Sequence, residues 1–514
     1  MFRASFASSE IKQQCKDNST QNLRRSSNMS KQFAGAAAQV LDRASAAGAH
    51  YADVQFWTIR AQRMFVRNGV VRQVTDRTST GYSVRALVDG SWGFAGSDKF
   101  SKPGLDETAL RSTRIAKSST VIAGRVRGVK PTGKHVAEWT TPIVIDPDSV
   151  SLSARADHLI AAEKNLHADK SVVAGYAFMT FWITDKEFYS TNGGAISQRL
   201  YQSGAGCGAT AIGKDQDPQR RSGPGDFGLY QGGGYEIVQR ADLLANASRY
   251  GEEVVQLTAA PVLPTKTCDL ILHGNVLNLQ MHESIGHPLE LDRSLGWEAN
   301  FSGISWVKPD DVGKVRYGSD HLTIYADNTL ERGMATVAVD DEGVEPKRVT
   351  LIERGILRAF LSSRDTAAQT SLPETASMRA QDWASIPIVR MTNIALAPGA
   401  GSLDSIIADT KDGVIMEAIN SWSIDDHRLN FQFGPQIAWE IRDGKRGKLF
   451  KKPTYTGITP QFWGSLDRVA GPEEVVVWGT PNCGKGEPAQ SGRTTHACSH
   501  ARFRNVSVGV RNRA

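Results

Sequence analysis

The chain has 514 residues, 40% of them hydrophobic, which is enough to bury two sizeable cores and too much for a compositionally disordered protein. Its net charge of +6 is concentrated at one end: residues 1–31 hold six Lys/Arg against two acids, so the rest is nearly balanced and offers no basic stripe to track nucleic-acid phosphates. No apolar run reaches the roughly eighteen residues of a membrane span, and five scattered cysteines make no disulfide framework, which points to a reducing compartment, the cytoplasm.

Residues 1–32 are rich in Ser, Gln, Asn and Lys/Arg and read as a disordered basic tail. Arg24-Arg25 lacks the apolar segment that an export signal needs, and Met29 is an alternative first residue. An alanine-rich amphipathic helix is expected over 31–47, ending near Gly48. Asn68-Gly69 between residues 63–67 and 70–74 is a strong hairpin signal, and 80–88 with Trp92-Gly93-Phe94 extends an antiparallel sheet. Helices follow at 105–123 and 150–166, separated by the segment around Lys130-Pro131, and Asn192-Gly193-Gly194 marks a second hairpin. Glycine-rich 223–234 reads as a flexible surface loop, 241–250 as a helix, and 257–264 as the linker between an α+β domain (33–262) and a carboxyl-terminal domain (263–514).

The second domain begins with a short buried strand at 268–272 and a helix from Asn275 to Met281 after the breaker Gly274. Beyond that helix the pattern is β-rich, with short strands at 322–325, 348–352, 356–361, 436–441 and 475–478 and a helix at 402–410. The first domain thus mixes helices with an antiparallel sheet, and the second is mostly strand-like after its first helix, with no internal repeat.

The helix runs into His282-Glu283-Ser284-Ile285-Gly286-His287-Pro288. Two imidazoles and a carboxylate this close are the parts of a water-activating zinc site: neutral imidazoles bind the ion, and the glutamate takes a proton from the water in its open position. In the common zinc-protease pattern the histidines are four apart on one helix face. Five residues of regular helix turn through roughly 500°, about 140° off that face, so the helix must end or bulge between His282 and His287. Gly286, through its dihedral freedom, and Pro288, by pushing His287 toward extended backbone, supply the means. A third ligand is needed. Cys483, in a Gly/Pro-rich loop after the 475–478 strand, is the best placed thiol, with Lys485 nearby to favour the thiolate, although a thiol in such a turn is ordinarily idle. Glu290 and Glu298 are rival ligands, Glu290 being better suited to hydrogen-bond a histidine. His496 or His500 as a fourth ligand would close the site and make the metal structural.

The His-Glu-x-x-x-His segment with Pro288-Leu289-Glu290, Asp340-Asp341-Glu342-Gly343, Arg390-Met391-Thr392-Asn393, residues 425–434 (DDHRLNFQFG) and Asn482-Cys483-Gly484-Lys485-Gly486 together resemble the TldD/PmbA family, once described as modulators of DNA gyrase. The resemblance continues through Tyr51-Ala52-Asp53-Val54 and residues 68–96. It implies an α+β fold, a mixed helix and antiparallel-sheet domain followed by a β-rich carboxyl-terminal one that carries the metal helix, and a metalloprotease of the TldD branch, which degrades unfolded peptides. It further implies zinc on His282, His287 and Cys483 with Glu283 as general base. A PmbA/TldE-type paralogue in a heterodimer, or a second copy in a homodimer, is the expected partner.

Overall fold

The computed structural model describes residues 32–121, 129, 132–225 and 227–509; the expected disordered tail falls almost wholly outside them. The first helix, Ala34–Ala46, turns its alanines and Val40 onto strand Tyr51–Arg67, whose long hairpin with Val70–Val88 closes through Asn68 and Gly69, both at positive φ. That pair of left-handed residues is what an Asn-Gly hairpin turn demands.

The hairpin belongs to an eight-stranded sheet whose main path runs Ser91–Ser97, Val70–Val88, Tyr51–Arg67, Val172–Ser190, Ala195–Ile212, Val136–Thr140. Only the last of these pairs parallel to its neighbour. Helices Lys102–Ser119, Leu152–Asn165 and Leu243–Ala259 cover it, each of the first two opened by a serine side chain (Ser101, Ser151) that accepts a backbone N–H.

One sequence expectation is overturned here. Residues 223–234 are not a flexible surface loop: Leu229–Gly232 is a buried strand paired with Ala195–Ile212. Their glycines serve close packing, since a Cβ on Gly228 would lie 2.4 Å from the Ala205 carbonyl oxygen. Helix Leu243–Ala259 also runs on through the start of the expected linker.

After it, strands Lys266–Leu272, Asp412–Ile424, Asn430–Arg442, Tyr455–Ile458 and Ala501–Val508 pair in a closed ring, so this sheet curls into a small barrel. A separate six-stranded sheet ends in the Val476–Lys485 and Gln490–Cys498 hairpin. Between barrel and hairpin runs helix Gly274–Met281, every residue of which is buried. One hydrophobic cluster, including Leu243, Val276, Leu270 and Phe503, continues across both halves of the chain. No helix among the described residues is long and apolar enough to cross a membrane.

Candidate metal centre

The path from His282 to His287 is a π-helical turn, closed by the His287 N–H donating to the His282 carbonyl at 3.1 Å. An i→i+5 bond brings residues five apart onto one face, which the regular helix forbids. The bulge expected from spacing is thus present, but its causes differ from those read in the sequence. His287 stays helical (φ −63°, ψ −44°) and is not extended. Pro288 acts through its missing N–H, which leaves the Ser284 carbonyl without a helical donor; the buried Tyr317 hydroxyl donates to it at 2.5 Å. Gly286 is required by close approach, not by unusual dihedrals, because a Cβ there would meet the Met391 sulfur at 2.0 Å.

Cys483 is delivered from the other side by strand Val476–Lys485, which continues past the expected loop, with a register irregularity between Thr480 and Cys483. Ligand-capable atoms of His282, His287 and Cys483 lie within 4.8 Å of one another, all three residues buried, and this is the group of that kind found among the described residues. The His287 Nε2 to Cys483 Sγ distance is 3.7 Å.

Each ring is steered from behind. His282 Nδ1 lies 2.7 Å from His496 Nε2, and His287 Nδ1 lies 2.8 Å from a Glu290 carboxylate oxygen. With the proton on Nδ1 in both, each Nε2 keeps a lone pair for a cation. Burial lowers the His282 pKa to about 4 and holds His287 well below the ordinary histidine range, so both are neutral near pH 7. Burial opposes the Cys483 thiolate, but Arg390 and His287 outweigh it and leave the thiol below its usual value. Arg390 reaches this point because Gly492, the cross-strand partner of Cys483, has no side chain, a Cβ there lying 2.6 Å from the guanidinium; it donates to the Cys483 carbonyl. The expected helper Lys485 does not face the sulfur: its ammonium bonds both oxygens of Asp292 at 2.6 and 2.7 Å.

The rival donors are occupied elsewhere. Glu298 pairs with Arg293 at 2.8 Å, Glu290 with His287, His496 with His282, and His500 accepts from the Gly274 N–H and packs tilted against His273 at 4.3 Å between ring centroids. Three donors for one cation leave part of a tetrahedral shell open.

Glu283 sits beside the first histidine and is 7% exposed. One carboxylate oxygen accepts from Trp422 Nε1 at 3.0 Å, the other from Arg428 at 2.9 Å. Both partners come from the Asp412–Ile424 and Asn430–Arg442 hairpin. Sequence reasoning missed them, and it missed His496 as a support for His282. Arg428 and Arg390 lie within segments that carry the family resemblance, but nothing in their local pattern separates them from surface cations.

Comparison with known proteins agrees in fold and family. Residues 265–510 match the model described as the PmbA/TldA metallopeptidase C-terminal domain, and residues 52–116 match PmbA/TldA metallopeptidase domain 1. A protein named metalloprotease from Methanothermobacter thermautotrophicus is 27% identical over 89% of this chain and 95% of its own. A zinc metalloprotease TldD homolog from Saccharolobus solfataricus is 23% identical over 84% and 91%. Two crystal structures share the fold: a putative modulator of DNA gyrase from Thermotoga maritima (TM-score 0.74, 16% identity, 92% of this chain and 99% of that one) and TldE from Thermococcus kodakarensis (0.71, 15%, 92% and 99%). With both domain models matched in chain order over most of its length, this chain belongs to the PmbA/TldD family of metallopeptidases.

Proposed function

We propose that the protein is a zinc-dependent peptidase in which His282, His287 and Cys483 hold the ion and Glu283 is the general base. The observation that carries this reading is the buried triangle of three donor atoms next to a glutamate on the same wide turn. Two neutral imidazoles and an acidified thiol suit zinc, and a zinc ion held there supplies Lewis acidity and a water of lowered pKa. Glu283 takes a proton from the attacking water and passes it to the departing amine. Each of its oxygens has a second lone pair beyond the one used by Trp422 or Arg428, so the carboxylate is oriented without being saturated. Residues 33–262 and 263–514 are assigned as its two domains.

The substrate assigned is an extended or unfolded peptide, held as an added strand through main-chain hydrogen bonds. Supporting this, Asp412–Ile424 pairs with Lys266–Leu272 only through Gly413–Met416. Asn420 to Ser423 are exposed, Trp422 among them bonding Glu283, and Ser421 to Ser423 pair on one side with Asn430–Arg442. N-methylation of single backbone amides near the scissile bond is expected to suppress cleavage more than side-chain changes at the same positions; the reverse ranking across a peptide series rejects strand addition. A PmbA/TldE-type paralogue or a second copy is the proposed partner.

Metal analysis tests the centre directly: about one zinc per chain in wild type, lost on Cys483→Ser or His287→Ala, with cleavage abolished by chelation and restored by zinc. Metal retained by both variants rejects the ligand set. Glu290→Gln weakens the carboxylate behind His287 and is expected to lower zinc affinity about 10- to 100-fold in a competition titration with a chromophoric chelator. The rival reading, a non-catalytic subunit with a structural metal, predicts full zinc occupancy and no cleavage even with the partner present.

A further inference from the structure

A second polar cavity lies between the two halves of the chain, lined by Thr184, Lys186, Asn328, Asp341, Arg379 and Arg493 among others. Three cations face it, and their counter-charge is thin. Asp341 bonds Lys186 Nζ at 2.6 Å through one oxygen and the Ala380 N–H at 2.8 Å through the other. The nearby Asp340 carboxylate is taken up by the backbone N–H groups of Glu342, Val344 and Met378. Arg379 spends its two terminal nitrogens on the carbonyls of Met391 and Arg493. Arg493 donates from Nε to Gln202 and stacks at 5.1 Å over the Trp182 ring. Its two terminal nitrogens have no partner among the described residues. Thr184, 2% exposed, also lines the cavity, and its hydroxyl has no hydrogen-bond partner among the described residues; the Asn328 side-chain carbonyl is unpaired there too, but as an acceptor it calls for a donor and not for an anion.

Arg379 and Arg493 are half-buried, so the free ends of Arg493 open onto the cavity, while a fully buried hydroxyl such as that of Thr184 is normally satisfied. Partial burial, then Arg390, brings Arg379 down to about 10, and burial brings Arg493 down to about 10. An anion would relieve both. The cavity's volume of about 30 Å³ accommodates roughly two water-sized oxygens. Two oxygens make a carboxylate, which a guanidinium grips with a two-pronged donor pair.

We propose that this cavity is a carboxylate-binding site, with Arg493 as its principal donor, Thr184 as a second donor, and Lys186 and Arg379 setting the positive field. It is distinct from the metal centre. Cys483 and its partner Gly492 present one side of the hairpin, whereas Arg493, the next residue, points to the other. Residues from both halves build it, so occupancy ties them together. The carboxylate belongs either to a peptide C-terminus or to a free small acid.

Isothermal titration of the full-length, metal-loaded protein with N-acetylglycine and with N-acetylglycinamide tests this. The acid is expected to bind and the amide to bind at least tenfold more weakly. Arg493→Gln is expected to weaken the acid at least tenfold, and Thr184→Val, which removes a hydroxyl and no charge, severalfold. Inorganic phosphate, with four oxygens, is expected to bind less well than the acid. Equal binding of acid and amide, tighter binding of phosphate, or affinity unchanged in Arg493→Gln, as for an acid resting on the metal, overturns the proposal. If Arg493→Gln does not fold, unchanged affinity in Thr184→Val overturns it. A ten-residue peptide with a free C-terminus that binds where its amidated form does not identifies a peptide end; binding of N-acetylglycine alone identifies a small acid.

Discussion

Glu283→Gln is expected to lower kcat by about a hundred- to ten-thousand-fold while metal content stays at the wild-type level. The substitution keeps the shape of the side chain and removes its basicity, so substrate binding and KM are expected to change little. The structure adds a second consequence. Both hydrogen-bond partners of the carboxylate, Trp422 Nε1 and Arg428 Nη1, are donors. A glutamine presents one acceptor and one donor, so whichever way the amide turns, one partner faces an N–H. With Glu283 and Arg428 both largely buried, that mismatch is expected to cost about 1–3 kcal/mol of stability, read by denaturant titration. Catalysis and stability are then separable: Arg428→Met should also perturb the carboxylate's orientation but leave a base in place, giving a smaller loss in kcat than Glu283→Gln. A Glu283→Gln variant that retains more than a tenth of wild-type kcat, or that loses its metal, would remove Glu283 from the role of base.

What the sequence made legible here follows from how local each cause is. The spacing of His282 and His287 is incompatible with regular helix, so a bulge was readable from the chain alone. The reasons for the bulge were not, because they are tertiary: Gly286 answers to the Met391 sulfur about a hundred residues away, and the Ser284 carbonyl freed by Pro288 is satisfied by Tyr317. The Asn68-Gly69 and Asn192-Gly193 hairpins were legible because turn geometry selects those residues at the turn itself. Glycines in 223–234 gave the opposite result. They carry the composition of a loop, yet they allow buried backbone to pack against backbone, and composition alone does not distinguish the two uses. Cys483 is similar: glycine and proline around it suggested a loop, whereas the ladder runs on through an irregularity. The contacts behind the centre, His496 on His282 and Arg390 at Cys483, join residues separated by 214 and 93 positions and left no periodic trace.

Lys485→Met is expected to destabilise the protein by about 3–5 kcal/mol, although the residue touches neither candidate ligand nor base. Its ammonium is fully buried and holds Asp292 at 2.6 Å, with Glu298 at 3.8 Å and Glu290 at 3.9 Å. Arg293 is the other buried cation in this network, 2.8 Å from Glu298 and 3.6 Å from Glu290. Two cations therefore serve three carboxylates, and removing one leaves three anions around a single guanidinium in a site closed to water. Burial already raises the carboxyl pKa of Asp292 and of Glu298, and loss of Lys485 raises both further. A carboxyl whose folded pKa lies above its unfolded value favours folding below the unfolded pKa and opposes it as pH rises. The deficit should consequently be larger at pH 8 than at pH 5. The double variant Lys485→Met/Asp292→Asn removes charge of both signs and is expected to recover much of the loss, giving a coupling energy well above 1 kcal/mol in the double-mutant cycle. Guanidinium unfolding of Lys485→Met, Asp292→Asn and the double variant at both pH values is the measurement; a Lys485→Met cost under about 1 kcal/mol, or a deficit that grows on acidification, contradicts the assignment of Lys485 as the counter-charge. Because Glu290 shares this network and also steers His287, the same variant should weaken metal binding, a coupling between the buried charges and the candidate centre that Asp292→Asn in the double variant is expected to reduce.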